Sequence, residues 1–294
     1  MTTQSRVYCL LARAARRAVV FRRGPTKRVA LLTWDLTTDA VVEGQWLKGR
    51  IYERRCDLSP DGELLLYFAA TYHQPYRSWS AISRPPYLTA LALWPKGNGW
   101  GGGGHFAAAD RVRLNHRKGE MRLAAGYALP PWLAVEQLSE VAGWGEDDPV
   151  WSMRLERDGW VCTSGRSRQI EDRDGKVWIT FEPPIVWEKA HPVEPRTAVL
   201  RMLLRGIRER NGAWYVIDHT VVTGSGETLL EGTDWADWDH SGDLLYAAGA
   251  SLYRRRYANG AIASPVLVAD LSDLQFKNVA PPDEARHWPA APSR

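Results

Sequence analysis

Short apolar runs, set off by polar turn residues, recur along the whole 294-residue chain. Residues 6–13 (RVYCLLAR), 18–22 (AVVFR), 28–35 (RVALLTWD) and 40–47 (AVVEGQWL) are rich in Val, Leu, Trp and Tyr, which favour strands. Gly24-Pro25 and the stretch LTTD punctuate them, so the four runs predict one antiparallel meander. Residues 51–57, 64–70 and 87–94 predict a second meander, with 71–86 (TYHQPYRSWSAISRPP) as a long insertion in it. The linker 97–106 (GNGWGGGGHF) follows, and 111–115 (RVRLN) completes the unit. Four consecutive glycines, Gly101 to Gly104, mark a backbone that bends sharply or approaches something closely.

Residues 116–149 break the regularity. Leu133, Val135, Leu138 and Val141 share a helical face, so 132–141 (WLAVEQLSEV) predicts a short helix, and 143–149 (GWGEDDP) an acidic loop. Strand-like runs resume at 150–155 (VWSMRL), 160–164, 177–181, 198–207, 214–219, 227–231 and 265–271. Asp158-Gly159, Asp174-Gly175 and Asn211-Gly212 are tight-hairpin signals. The hairpin signal after 198–207 favours a strand there, although its length also suits a helix. Residues 281–294, rich in Pro, Ala and Arg, predict a frayed, flexible tail.

One block is repeated. Residues 55–70 (RCDLSPDGELLLYFAA) and 233–256 (TDWADWDHSGDLLYAAGASLYRRR) each hold a strand, a polar turn and a second strand. The turns Asp57 to Gly62 and Asp237 to Gly242 have the same Asp-to-Gly spacing. Weaker echoes of a strand–turn–Gly–strand hairpin lie at 114–123, 155–162 and 207–216. These blocks resemble the repeats of β-propellers of the WD40-like and TolB-like kind. The resemblance implies an all-β fold, in which single sheets bury both faces only by stacking. With 116–149 as a non-repeat insertion and 207–216 as outer strands, residues 1–280 form one domain of five blades. Counting each hairpin glycine as a blade gives six. The resemblance specifies a fold and leaves the chemistry open.

Composition adds detail. Fifteen Trp against five Phe suit half-buried strands and exposed loops alike. Cys9, Cys56 and Cys162 form no CxxC pair, which argues for reduced thiols and against a zinc ribbon. No uninterrupted apolar run reaches signal-peptide or membrane-span length, so the expectation is a cytoplasmic protein without membrane contact. The net charge of +4 is uneven. Residues 1–55 hold 12 Lys and Arg against 4 Asp and Glu, or +8, which leaves −4 for the remainder. A basic quarter can meet nucleic acid or lie as solvated outer strands.

Catalytic signatures are sparse. The chain has no HExxH, no GxSxG and no P-loop lysine after its glycines. Asp234, Asp237, Asp239 and His240 are the densest candidate metal ligands, yet they sit where a blade uses Asp to satisfy turn N–H groups. The expectation is therefore no metal and no cofactor. Asp57, Glu182, Asp234 and Asp237 are the carboxylates open to a glycan hydrolase or lyase. Interaction signals are stronger. Tyr72, His73, Tyr76, Arg77 and Trp79 cluster in one stretch, and Trp100 sits among glycines. Tyr, Trp and Arg are enriched in interface hot spots, and loops on a rigid scaffold carry function. Trp187, after Pro183-Pro184, reads as a packing residue in a long connection. The expected function is a non-catalytic scaffold that binds protein partners in a multi-subunit complex. A propeller enzyme and a nucleic-acid-associated propeller using the basic quarter are the alternatives.

Overall fold

The computed structural model describes residues 5–24, 27–171, 177–209 and 214–292. The hairpin turns expected at Asp174-Gly175 and Asn211-Gly212, Pro25 of the first punctuation and the last two tail residues lie outside the described residues. The fold is all-β, a five-blade propeller arrangement of small, mostly antiparallel sheets. The chain divides into two compact units. One comprises Met1–Arg154 with Asp273–Arg294, the other Leu155–Ser272.

Among the described residues, the first unit carries three sheets. Arg6–Leu11, Arg17–Arg23, Arg28–Asp35 and Val41–Lys48 form the expected meander. Arg50–Ile51 and Asp57–Leu58 both pair with Leu65–Ala70, which continues to Ser78–Ser83 and Ala90–Pro95. All six residues of Leu65–Ala70 are buried, as expected of a strand covered on both faces. The stretch 71–86 is therefore no insertion. Ser78–Ser83 is a blade strand inside it, and only the hairpin loop 71–77 projects. The third sheet is Gly104–Ala108, Arg111–Leu114 and Ala134–Gln137. Its last pair is parallel. A parallel neighbour requires the chain to cross back before pairing, and the irregular stretch after Leu114 provides that crossover.

Five local expectations change here. Residues 132–141 hold the strand Ala134–Gln137 instead of a helix, because pairing with Arg111–Leu114 outweighs a weak helical period. Residues 150–155 belong to the helix Val150–Arg157, whose Val150 packs on Leu138 and Ala142. Trp151 N–H and Met153 N–H donate to the carbonyls of Asp147 and Pro149, which starts the helix just after a proline. A helix running into Trp160–Cys162 also removes the hairpin expected at 155–162. In the same way Gly119 sits in a 3-10 turn, Lys118–Glu120, and not in a hairpin. The tail expected to fray is anchored within this unit. Ala285 is buried, and Trp288 meets Trp132 edge-on and donates from Nε1 to the Ala128 carbonyl at 3.2 Å.

Among the described residues, the second unit carries two larger sheets and the two-stranded pair Tyr257–Ala258 with Ala261–Ile262. Val177–Ala190, Ala198–Glu209 and Tyr215–Thr223 form a long antiparallel ribbon, flanked by Trp160–Cys162, Arg168–Glu171 and Gly226–Leu230. The connection expected around Trp187 is thus continuous strand. Trp187 is buried, opposite Met202 on one neighbour and Cys162 on the other. Thr233–Trp238, Leu244–Ala248, Ser251–Arg255 and Val266–Asp270 form the last sheet.

The two repeat turns are alike at atomic detail. Gly62 N–H donates to Ser59 O, and Gly242 N–H to Asp239 O, with both glycines at positive φ. The registers then differ by one residue. Ser59 N–H bonds Leu64 O, whereas Asp239 N–H bonds Asp243 O. Asp239 Oδ1 accepts from Ser241 N–H and Asp243 N–H, and its other oxygen meets Arg254 at 2.5 Å. Burial raises the Asp239 pKa, but these Ser241, Arg254 and Asp243 partners outweigh it and hold the carboxyl below its ordinary value.

Candidate functional site

Three loops of the first unit meet over one buried polar network. The first is the hairpin loop 71–77. Thr71 N–H and Tyr72 N–H both donate to Arg77 O, and Arg77 N–H donates to His73 O, which closes the loop. Tyr72 extends from it, 51% exposed, with its hydroxyl 2.5 Å from that of Tyr52. Burial, then the Tyr72 hydrogen bond, pushes the Tyr52 phenol up to about 12.

The second loop leaves Ala90–Pro95 and re-enters the sheet at Gly104. Asn98 Oδ1 accepts Trp100 N–H, and Ser78 Oγ donates to Asn98 O. Gly102 and Gly103 have φ of +81° and +71°. A Cβ at Gly102 would overlap the Phe68 ring, and one at Gly103 the Arg55 carbonyl. The glycine run is therefore both a bend and a close approach. Arg55 is the staple. Its Nη1 donates to Gly99 O at 2.6 Å and Gly101 O at 2.8 Å, and its Nε to Asp147 Oδ1 at 2.8 Å. The guanidinium also lies 4.5 Å from the Tyr52 ring centroid. This combination of planar fork and aromatic face is what arginine supplies and lysine does not.

The third loop precedes the helix Val150–Arg157. Gly101 N–H donates to Gly145 O, Asn115 Oδ1 accepts Gly143 N–H, and Asn115 Nδ2 donates to Trp144 O. Trp144 is 60% exposed, with the Arg117 guanidinium 3.8 Å from its ring centroid. Trp100 is 55% exposed. Each Trp stands between two glycines, Gly99–Trp100–Gly101 and Gly143–Trp144–Gly145, and the two motifs are joined through Gly101 and Gly145.

Beneath the glycines, Ser80 Oγ accepts Gly103 N–H at 2.8 Å and lies 2.7 Å from His116 Nε2. His116 Nδ1 is 3.1 Å from Glu120 O. A carbonyl accepts only, so Nδ1 carries the ring proton and the Ser80 hydroxyl donates to Nε2. Burial outweighs the Glu120 hydrogen bond and lowers the His116 pKa to about 4, which keeps the ring neutral at pH 7. A serine donating to an oriented imidazole is the geometry of a nucleophile and its base. Here both residues are fully buried, and the hydroxyl is spent on Gly103. The pair pins the glycine loop.

The residues singled out by sequence divide accordingly. Tyr72 is brought to the glycine loop that carries Trp100: a Cβ at Gly99 would lie 3.3 Å from the Tyr72 hydroxyl. His73 and Arg77 are exposed on the same hairpin loop. Tyr76 is half-buried on that loop. Trp79 lies on Ser78–Ser83, where its side chain hydrogen-bonds Tyr67. Trp144, Arg117, Asn115 and Arg55 are additions from the structure, although the second Gly–Trp–Gly is a usable sequence signal.

The candidate acids have structural partners. Asp57 is buried and accepts Phe106 N–H at 2.7 Å. Glu182 lies 3.9 Å from Arg168. Asp237 pairs with Lys189 at 2.6 Å, though burial outweighs the lysine and raises its pKa. Among the described residues, no group of three or more His, Cys, Asp and Glu side chains is placed to hold a metal ion. Likewise, no described helix is long and apolar enough to cross a membrane.

No family model matches the chain. No curated protein matches either. Among solved structures, a match is a crystal structure described as "a putative 6-phosphogluconolactonase" from Bacteroides fragilis NCTC 9343. It is 10% identical, with 90% of this chain and 68% of that one covered, at a TM-score of 0.25. A likeness at that level carries nothing about activity.

Proposed function

We propose that this propeller is a non-catalytic scaffold that binds a protein partner in a larger assembly through Tyr72, His73, Arg77, Trp100 and Trp144. The observation that carries this reading is the paired Gly–Trp–Gly motifs. Two large aromatics stand more than half exposed on loops that a buried network holds rigid. Isolated exposed apolar residues need no explanation, but rigid aromatic anchors on connected loops do. Ordering these loops in advance lowers the entropy cost of association. Trp79, bonded to Tyr67 on its blade strand, and the half-buried Tyr76 are left out of the contact.

A photo-crosslinking residue at position 100, used in the native host and read by mass spectrometry, tests the reading. The expected result is a crosslink to one co-eluting protein, with recovery of that protein lost in Tyr72→Ala/Trp144→Ala. Undiminished recovery in that variant would remove the aromatic loops from the interface. Recovery of no partner would overturn the scaffold role itself.

A further inference from the structure

Two arginines lie on aromatic rings beneath and beside the aromatic loops, and the fold treats them differently. Arg55 faces the Tyr52 ring and spends its guanidinium on Asp147 and the Gly99 and Gly101 carbonyls. Arg117 faces the Trp144 ring at 3.8 Å from its centroid. Among the described residues no carboxylate pairs with the Arg117 guanidinium, and its buried Nε has no acceptor. The stem is held in place by Gly143, where a Cβ would come within 2.4 Å of the Arg117 Cγ. Gly143 also has a φ of +94°, so glycine is needed there twice over.

The acids nearby in the chain are engaged elsewhere or left apart. Glu120 Oε2 accepts the Arg117 backbone N–H, and its charge goes to Lys96 at 2.7 Å. Asp147 is taken by Arg55, and Asp148 accepts Ser152 N–H. Glu146 is exposed two residues beyond Trp144 and forms no ion pair with Arg117. Lys118, beside Arg117, is exposed and adds a second positive charge. Stacking on a ring fixes the planar fork of an arginine in an orientation suited to a carboxylate. Trp144 is still 60% exposed. A cationic ligand there would meet like charge, whereas an anionic one gains the guanidinium and the open part of the ring together.

We propose that Arg117 is the specificity-determining residue of the aromatic loops, and that it takes an Asp or Glu side chain of the partner while an adjacent apolar residue lies on Trp144. This rests on the scaffold reading and adds the chemistry of the partner to it. The test selects displayed random dodecapeptides on the wild-type protein and keeps those whose binding is lost in Trp100→Ala/Trp144→Ala. These peptides should be enriched in Asp or Glu beside an apolar residue. Changing that acid to its amide in a synthetic peptide, or Arg117→Gln in the protein, should each weaken binding about tenfold. The two changes together should weaken it little further, because they remove the same interaction. Arg117→Lys should recover only part of the loss. Selection on Arg117→Glu should turn the enrichment toward Lys and Arg.

Peptides that depend on the two Trp but show no acidic preference would overturn the assignment and leave the scaffold reading standing. Additive losses in the double change would do the same, and with a lowered urea midpoint in Arg117→Gln they would make Arg117 a brace for the Gly143–Trp144 loop. Absence of any peptide that depends on the two Trp would overturn the scaffold reading, and this inference with it.

Discussion

His116 titration offers a direct measure of how firmly the glycine loop is pinned. The folded ring stays neutral down to about pH 4, because burial penalises its charge. The same side chain in an unfolded chain takes up its proton near pH 6.5. Between those values the unfolded state binds more protons, so stability falls as pH falls. The folded pKa is the lower of the two. The contribution is therefore complete above pH 6.5, is lost between 6.5 and about 4, and is level below that. At ~1.4 kcal/mol per pH unit the gap amounts to about 3 kcal/mol. The assay is urea unfolding of wild type and His116→Gln at steps between about pH 7.5 and pH 4.5. Gln keeps an amide donor and acceptor but does not titrate. Carboxylates titrate in both proteins, so the difference between the two curves isolates the imidazole. Wild type should lose about 2 to 3 kcal/mol more than the variant across that range. Parallel curves would refute the buried, neutral pin, and with it the Ser80–His116 support of Gly103.

Other consequences are independent of that titration. Arg55→Ala removes the guanidinium that bonds Asp147 and the Gly99 and Gly101 carbonyls, and should cost about 3 to 5 kcal/mol in unfolding free energy, with Arg55→Lys recovering only part of it. Gly103→Ala forces a Cβ into the Arg55 carbonyl at positive φ and should cost about 2 kcal/mol or more, read as a lower urea midpoint. Asp239→Asn should cost about 1 to 3 kcal/mol at neutral pH. Because the Asp239 pKa is depressed in the fold, its contribution is present above about pH 4 and lost as pH falls through the folded value, so wild type and Asp239→Asn should converge in acid.

The blade strands are legible because their pattern is local. Strand Leu65–Ala70, the first meander and the two Asp-to-Gly turns can be read from apolar runs and turn chemistry within a few residues. Legibility fails where tertiary pairing overrides a weak local period. Residues 132–141 show four apolar positions near one helical face, but the open edge of Arg111–Leu114 takes Ala134–Gln137 as a parallel strand. Residues 150–155 read as a strand, yet the chain turns into a helix after Pro149 and buries Val150 and Trp151. Neither outcome is encoded in spacing alone.

The site is half legible for a related reason. Tyr72 and Trp100 announce themselves by composition, since aromatics among turn residues are conspicuous. What fixes them is spread along the chain: Arg55 joins Gly99, Gly101 and Asp147 across separations of 44, 46 and 92 residues. A single arginine in a basic quarter looks like surface charge until its two carbonyl acceptors are known. The same quarter also supplies Arg6, Arg23, Arg28 and Lys48, whose cross-strand register leaves like charges facing each other. One compositional excess thus divides by geometry into two roles. An arginine drawn under the glycine loop is consumed by the fold. Cations at the strand ends face like charges, and the fold sets Glu53 beside Arg23 and the Phe276 ring beside Arg28 and Lys48.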